Sequence, residues 1–137
     1  MPISGTSRQV SIQPQLWVER AADAVAFYEA AFGAVVLHRV GEGQEIVSQL
    51  AVGDAAFWVA SASSALRRFS PAALDGATGR ILLLVDHPEA VVRQAVTAGA
   101  SELMPVGDEH GWRLGRIRDP FGHEWEIGKP HAEWPPT

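Results

Sequence analysis

The sequence contains no cysteine, and its basic side chains are ten arginines with a single lysine. Without cysteine the chain can form no disulfide, no thiolate nucleophile and no thiolate-bound metal site. No apolar run approaches the roughly 20 residues that a membrane span needs. The first residues, Met1-Pro2-Ile3-Ser4-Gly5, lack the charged-then-apolar layout of a signal peptide. These absences predict a cytoplasmic protein with no membrane partner.

The net charge and the composition restrict the kinds of partner further. A formal net charge of -5 argues against a nucleic-acid partner, because the phosphate backbone requires a basic surface. The chain has 137 residues, 47% hydrophobic and 20% charged, which is typical of one globular domain. Five tryptophans are many for this length. Indole offers a large flat apolar area and one N–H donor, which suits contacts with aromatic ligands.

A weak internal repeat divides the chain into two halves with the same order of elements. Each half shows one strand, then an amphipathic helix that ends at a glycine, then three strands. Neither half can bury a core alone, so we expect residues 1–137 to form a single domain. The predicted parts are a first module at 10–60, a connector at 61–78 that could act as a flap, a second module at 79–128, and a proline-rich tail at 129–137.

The predicted elements follow from the spacing of apolar residues and turn residues. In the first half, we expect a helix at 21–32 and strands at 11–18, 35–40, 45–52 and 55–60. In the second half, we expect a helix at 89–98 and strands at 80–85, 102–106, 112–118 and 123–127.

The closing hairpin carries a family resemblance. The segment DPFGHEWEI at 119–127 resembles the last hairpin of the vicinal oxygen chelate superfamily, the glyoxalase, bleomycin-resistance and extradiol dioxygenase group. The segment AFYEAAFG at 26–33 is similar to the first helix of that family. The resemblance implies an α+β fold in which two βαβββ modules form a curved mixed sheet with helices on its convex face. It also implies a homodimer and a ligand on the concave face.

The resemblance also locates the positions of a metal site. In metal-dependent members, four side chains on the concave face bind the metal, and counting from local landmarks places these positions at Gln13, Trp58, Arg80 and Glu126. Trp58 offers no lone pair, and Arg80 is permanently cationic. We therefore expect no metal and no other cofactor. We expect Arg80 to pair with Glu126 instead, either as a purely structural ion pair or also as a contact for a ligand.

Strand alternation sorts the other side chains between the two faces of the sheet. An apolar set is assigned to the helix-covered face: Ile12, Leu16, Val18, Phe57, Val59, Ile81, Leu83, Val85, Ile117, Trp125 and Ile127. The concave face receives a mixture of aromatic, polar and charged groups, which suits a pocket better than a core. The candidate ligand-binding residues on it are Gln13, Gln15, Trp17, Trp58, Arg80, Trp112, Arg116, Glu124 and Glu126.

Three functions are compatible with this pattern. The leading hypothesis is a metal-free, homodimeric binding protein, similar to the bleomycin-resistance branch, that sequesters a bulky, partly aromatic small molecule or peptide antibiotic. Trp17, Trp58 and Trp112 would then stack on the ligand, unless they only fill the cavity. The alternatives are a metal-dependent enzyme of the glyoxalase or dioxygenase type, and a metal-free lyase or isomerase that uses Glu126 or Glu124 as a base. No Ser-His-Asp spacing or nucleophile elbow is visible, so we assign no catalytic residue.

Overall fold

The structure is a computed structural model, and it describes residues 10–135. Residues Met1 to Gly5, on which the expectation of no signal peptide depends, lie outside the described residues. None of the helices within 10–135 is both long and apolar enough to span a membrane. The element order is β1 (Gln15–Val18), α1 (Ala21–Phe32), β2 (Val35–Glu42), β3 (Glu45–Val52), β4 (Ala55–Ser61), α2 (Pro71–Leu74), β5 (Arg80–Leu84), α3 (Pro88–Ala98), β6 (Ser101–Glu109), β7 (Trp112–Arg118) and β8 (Glu124–Pro130).

The strands form two four-stranded mixed sheets, one for each module. Their orders are β1-β4-β3-β2 and β5-β8-β7-β6. In both sheets the first strand of the module runs parallel to the last, and the other pairs are antiparallel. The predicted α+β fold of two βαβββ modules is therefore confirmed, with the strands hydrogen-bonded in two sheets rather than one.

One hydrophobic core serves both modules. It contains the buried face of α1, Val92 and Ala95 of α3, and the inward side chains of both sheets. Most of the apolar set predicted for the helix-covered face is confirmed: Leu16, Val18, Phe57, Val59, Ile117, Trp125 and Ile127 are buried, and Ile81, Leu83 and Val85 pack against them. A core shared in this way makes the two halves one folding unit.

Two element bounds differ from the sequence prediction in ways that affect the site. The first strand begins at Gln15 rather than at residue 11, and Ile12 is 94% exposed instead of in the core. Pro14 has no N–H to donate to a strand ladder, which is consistent with a strand that begins after it. At the other end of the chain, β8 continues through Pro130, so two residues of the predicted tail belong to the sheet.

The buried carboxylate of Asp119 joins the two modules. Its Oδ2 accepts hydrogen bonds from the Tyr28 hydroxyl and from Trp125 Nε1, the latter at 3.0 Å. Its Oδ1 accepts the backbone N–H groups of Phe121 at 2.9 Å and His123 at 3.0 Å. Asp119 is only 3% exposed, and four donors offset the cost of burying its charge. Burial, and then the charge of Asp119, raise the pKa of Tyr28 well above its ordinary value.

The turn that carries Asp119 also contacts the connector. Gly122 has a φ of +94°, a conformation that other residues resist. A Cβ at this position would lie 2.8 Å from the Cβ of Pro71 in α2. The turn at 119–122 therefore requires glycine for two reasons, and it sets the position of α2 against the second module.

An alkaline titration tests the buried bond between Tyr28 and Asp119, because Tyr28 is the only tyrosine in the chain. Since the fold favours the protonated phenol, this contribution to stability is complete below the ordinary pKa of about 10 and is lost as pH rises through the raised value. We expect tyrosinate absorbance to appear only together with loss of the circular dichroism of the fold. Reversible ionisation near pH 10 within a folded protein would contradict the assignment.

Tyr28→Phe is the companion variant. It should abolish the tyrosinate signal and leave the buried Asp119 with one donor fewer, lowering the free energy of unfolding by about 1–3 kcal/mol in urea. Asp54→Asn, in the exposed turn between β3 and β4, is the control, and it should change that free energy by less than about 0.5 kcal/mol.

Candidate ligand-binding cleft

The first sheet provides the aromatic wall of the candidate site. The parallel register of β1 and β4 places Gln15 opposite Trp58 and Trp17 opposite Ala60. Side chains alternate along each strand, so these residues point away from the helix-covered core. They line a cleft of about 220 Å³ together with Val47 and Arg68. Both indoles are half-buried, which leaves part of each ring accessible.

Gln13 fixes the orientation of the Trp58 ring. Its Oε1 accepts hydrogen bonds from Trp58 Nε1 at 2.8 Å and from Gln49 Nε2 at 2.9 Å. Its own amide nitrogen donates to Ser11 Oγ at 3.0 Å. The side-chain oxygen of Gln13 is thus used by two neighbours, and the indole is held by its one polar atom.

A second cleft of about 320 Å³ lies where the two modules meet. Gln15 and Trp17 line it from the first module, and Arg80, His123 and Glu124 line it from the second. His123 Nε2 lies 2.9 Å from the backbone oxygen of Trp17, a hydrogen bond that joins the two walls. Because Gln15 and Trp17 line both clefts, the two form one site with a shared wall. The connector closes its outer side with Phe69, Pro71 and Leu74.

The expected pairing of Arg80 with Glu126 is wrong. The parallel register of β5 and β8 places Arg80 opposite Glu124 and Leu82 opposite Glu126. Arg80 Nε donates to Glu124 Oε1 at 3.1 Å. Glu126 Oε2 instead accepts from Arg116 Nε at 2.9 Å, and this bond raises the pKa of Arg116 above its usual value. The two carboxylates of β8 therefore each have their own arginine.

The residues predicted for the four metal-ligand positions do not fit a divalent cation. The oxygen of Gln13 already accepts two hydrogen bonds, and Trp58 has no lone pair to offer. Arg80 carries a positive charge, and Glu126 is neutralised by Arg116. Over residues 10–135, no group of three or more His, Cys, Asp or Glu side chains is arranged to hold a metal ion. The polar atoms of Gln13, Arg80 and Glu126 are instead hydrogen-bonded to other side chains of the protein.

The predicted site residues separate into two groups. Gln13, Gln15, Trp17, Trp58, Arg80 and Glu124 lie at the two clefts or hold their walls. Trp112 lines neither cleft, because it lies at the outer end of β7, in an edge-to-face contact with Trp134 at 5.2 Å. Arg116 and Glu126 bond each other on the second sheet. Only two of the three predicted stacking tryptophans therefore share a pocket.

Sequence reasoning missed several residues of the cleft, among them Arg68, Phe69 and His123. Arg68 and Phe69 belong to the connector, whose composition shows no periodicity. His123 lies immediately before β8, beside Glu124. Its position directly after the turn at 119–122 was the available signal, since that turn sets where β8 begins.

Residues 10–127 match the model of the glyoxalase/bleomycin resistance protein/dioxygenase superfamily. This chain belongs to that superfamily. An uncharacterised protein of Mycobacterium tuberculosis is 33% identical to it over 129 residues, which is 90% of this chain and 76% of the relative.

Solved structures share the fold. The X-ray structure of a gene product from Arabidopsis thaliana has 30% identity and a TM-score of 0.69, covering 89% of this chain and 100% of that one. The fosfomycin resistance protein FosX from Mesorhizobium loti has 12% identity and a TM-score of 0.66, covering 93% and 94% of the two chains. This second likeness shows the fold alone.

Proposed function

We propose that this member of the superfamily is a metal-free cytoplasmic protein that binds and sequesters a bulky, partly aromatic small molecule or peptide antibiotic without altering it. One observation carries the proposal: the side chains at the metal-ligand positions are bonded within the protein, Gln13 to Trp58, Arg80 to Glu124 and Glu126 to Arg116. Sequestration depends on affinity and requires no activated metal or nucleophile, which agrees with this donor set.

The walls of the cleft support an aromatic ligand. Trp17 and Trp58 are both half-buried and line the same 220 Å³ cleft, and Trp17 also lines the larger one. Stacking on an indole of fixed orientation costs little conformational entropy, and Gln13 already holds the Trp58 ring. A fosfomycin resistance protein has the same fold, so a role in drug resistance or self-protection is compatible with this fold.

A second copy of the chain would complete the binding surface. Leu82 and Leu84 of β5 are 47% and 55% exposed on the face of the second sheet that the helices do not cover. Exposed apolar side chains of this size, next to a ligand cleft, are typical of a surface that a partner covers. We propose a homodimer in which this face contributes to the pocket of the other subunit.

A metal-free lyase or isomerase is the second candidate. Glu126 Oε2 is bonded to Arg116, but among the described residues no hydrogen bond reaches Glu126 Oε1. That oxygen could accept a proton from a substrate. Recovery of a chemically altered ligand after incubation with the protein would favour this candidate over sequestration.

Sedimentation measures the proposed assembly. The purified protein should give a mass about twice 14.7 kDa, the mass of one chain. Leu82→Glu, which places a charge on the uncovered face, should shift the equilibrium towards monomer, whereas Val96→Glu on α3 should not. Both positions are exposed, so neither change should unfold the chain. A parent protein that stays monomeric at the highest accessible concentration would contradict the proposed dimer.

Substitution of Trp58 tests the stacking role. We expect planar heteroaromatic drugs, bleomycin among them, to quench the tryptophan fluorescence saturably and to be recovered unchanged. Trp58→Ala should weaken this binding by roughly tenfold to a hundredfold, since one stacking ring contributes about 1–3 kcal/mol. Trp134→Ala, in the exposed tail outside both clefts, is the control and should bind normally.

Thermal unfolding of Trp58→Ala distinguishes a stacking role from the alternative that Trp58 only fills the cavity. If Trp58 only fills the cavity, Trp58→Ala should destabilise the fold by about 3–5 kcal/mol while the drug titration stays normal. That combination would contradict a stacking role for this ring. Absence of drug binding by the parent protein would contradict sequestration itself.

A further inference from the structure

The connector holds Arg68 at a fixed place above β1. The backbone N–H of Arg68 donates to the oxygen of Ser63 at 2.8 Å, and the N–H of Ser63 donates back to Arg68 at 2.9 Å. Between them lie a short 3-10 turn at Ser64–Leu66 and Arg67, whose φ is +58°. The N–H of Ala62 donates to the oxygen of Val18 at 2.7 Å, which attaches the base of this loop to the end of β1. Arg68 therefore lies at the end of a loop that two backbone hydrogen bonds close.

The Arg68 side chain lies over the Trp17 ring. Its guanidinium carbon is 5.2 Å from the ring centroid, within the range of a cation–π contact. Arg68 is half-buried and lines the same 220 Å³ cleft as Trp17 and Trp58. Its cationic group thus faces the space in which an aromatic ligand would stack.

Among the residues that the structure describes, Arg68 has no anionic partner, whereas Arg80 has one. Arg80 is paired with Glu124, and the same carboxylate also lies 3.8 Å from Arg118. Within residues 10–135, no carboxylate oxygen lies within 4.0 Å of the Arg68 guanidinium. A partly desolvated guanidinium gains most from a planar anion that can take two of its N–H donors at once.

We propose that Arg68 selects for charge, so that the ligand of this cleft is an aromatic molecule bearing a carboxylate or a similar anionic group. The ring stacks on Trp58, and the anion binds the guanidinium that already lies on the Trp17 face. Glu124, the carboxylate that lines the larger cleft, does not oppose this charge because two arginines neutralise it. The inference rests on the proposed function, since it names the chemical class of the sequestered ligand.

A matched pair of probes measures the preference of the cleft for an anionic over a neutral aromatic ligand. The probes are 2-naphthoate and its neutral amide, 2-naphthamide, which share the ring and differ in charge. By calorimetry at neutral pH, the parent protein should bind naphthoate roughly tenfold more tightly or better, as expected for a hydrogen bond to a charged group. Added salt should weaken the binding of naphthoate and leave that of naphthamide almost unchanged.

Substitution of Arg68 tests whether this side chain causes the preference for naphthoate over naphthamide. In Arg68→Gln the two probes should bind with equal affinity, near that of naphthamide for the parent protein. Arg93→Gln, on α3 and outside both clefts, should keep the full preference. Unchanged melting temperatures for both variants would show that the fold is intact. A preference that survives Arg68→Gln and disappears in Arg80→Gln would overturn the proposal.

The outcomes separate this inference from the function on which it rests. Equal binding of both probes by the parent protein would overturn the role of Arg68 and leave aromatic sequestration standing. Binding of neither probe, together with no binding of larger aromatic drugs, would overturn both.

Discussion

The buried carboxylate of Asp119 is the point on which the arrangement of the two modules depends. It belongs to the turn between β7 and β8, yet the tyrosine bonded to it comes from α1, 91 positions earlier in the chain. The same carboxylate bonds the backbone N–H of His123, whose ring then reaches the backbone of Trp17. A charge buried in this way tolerates little displacement, because each lost donor leaves an uncompensated oxygen. The position of β1 against the start of β8, and therefore the larger cleft, follows from these bonds.

The cleft itself depends on polar groups that bond one another. Gln13 fixes the Trp58 ring, and each carboxylate of β8 is neutralised by an arginine on a neighbouring strand. These pairs include the side chains that the family resemblance predicts for the metal-ligand positions. They leave open an aromatic surface, with the paired Arg80 and Glu124 on one side. On the other side lies the guanidinium of Arg68, which has no carboxylate partner among residues 10–135. Under the proposed function, this surface would recognise the shape and the charge of its ligand.

The sequence predicted most of the fold, because strand alternation and glycine-ended helices are local signals. The bounds of α1, β3 and β7 agree with the prediction, and Trp125 lies in the core. The Arg80 partner was predicted wrongly because Glu124 and Glu126 are two positions apart and share a face. Only the register of β5 against β8 decides between them, and register is a tertiary property. Alternation placed Trp112 on the correct face of the sheet. It could not show that Trp112, at the first position of β7, lies too far along the strand to line either cleft. Arg68 lay in a connector without periodicity, so no local pattern pointed to it.

The most direct test of the account is the response of the indole N–H signals of the isotope-labelled protein to Mn²⁺, whose unpaired electrons broaden nearby NMR signals. Trp58 stands at one of the predicted metal-ligand positions, and Trp134 in the tail provides an exposed reference. The Trp58 signal is assigned by its absence in Trp58→Phe. The account predicts that one equivalent of Mn²⁺ broadens the Trp58 signal no more than that of Trp134. Selective loss of the Trp17 and Trp58 signals at one equivalent would place a metal ion in the cleft and contradict the account.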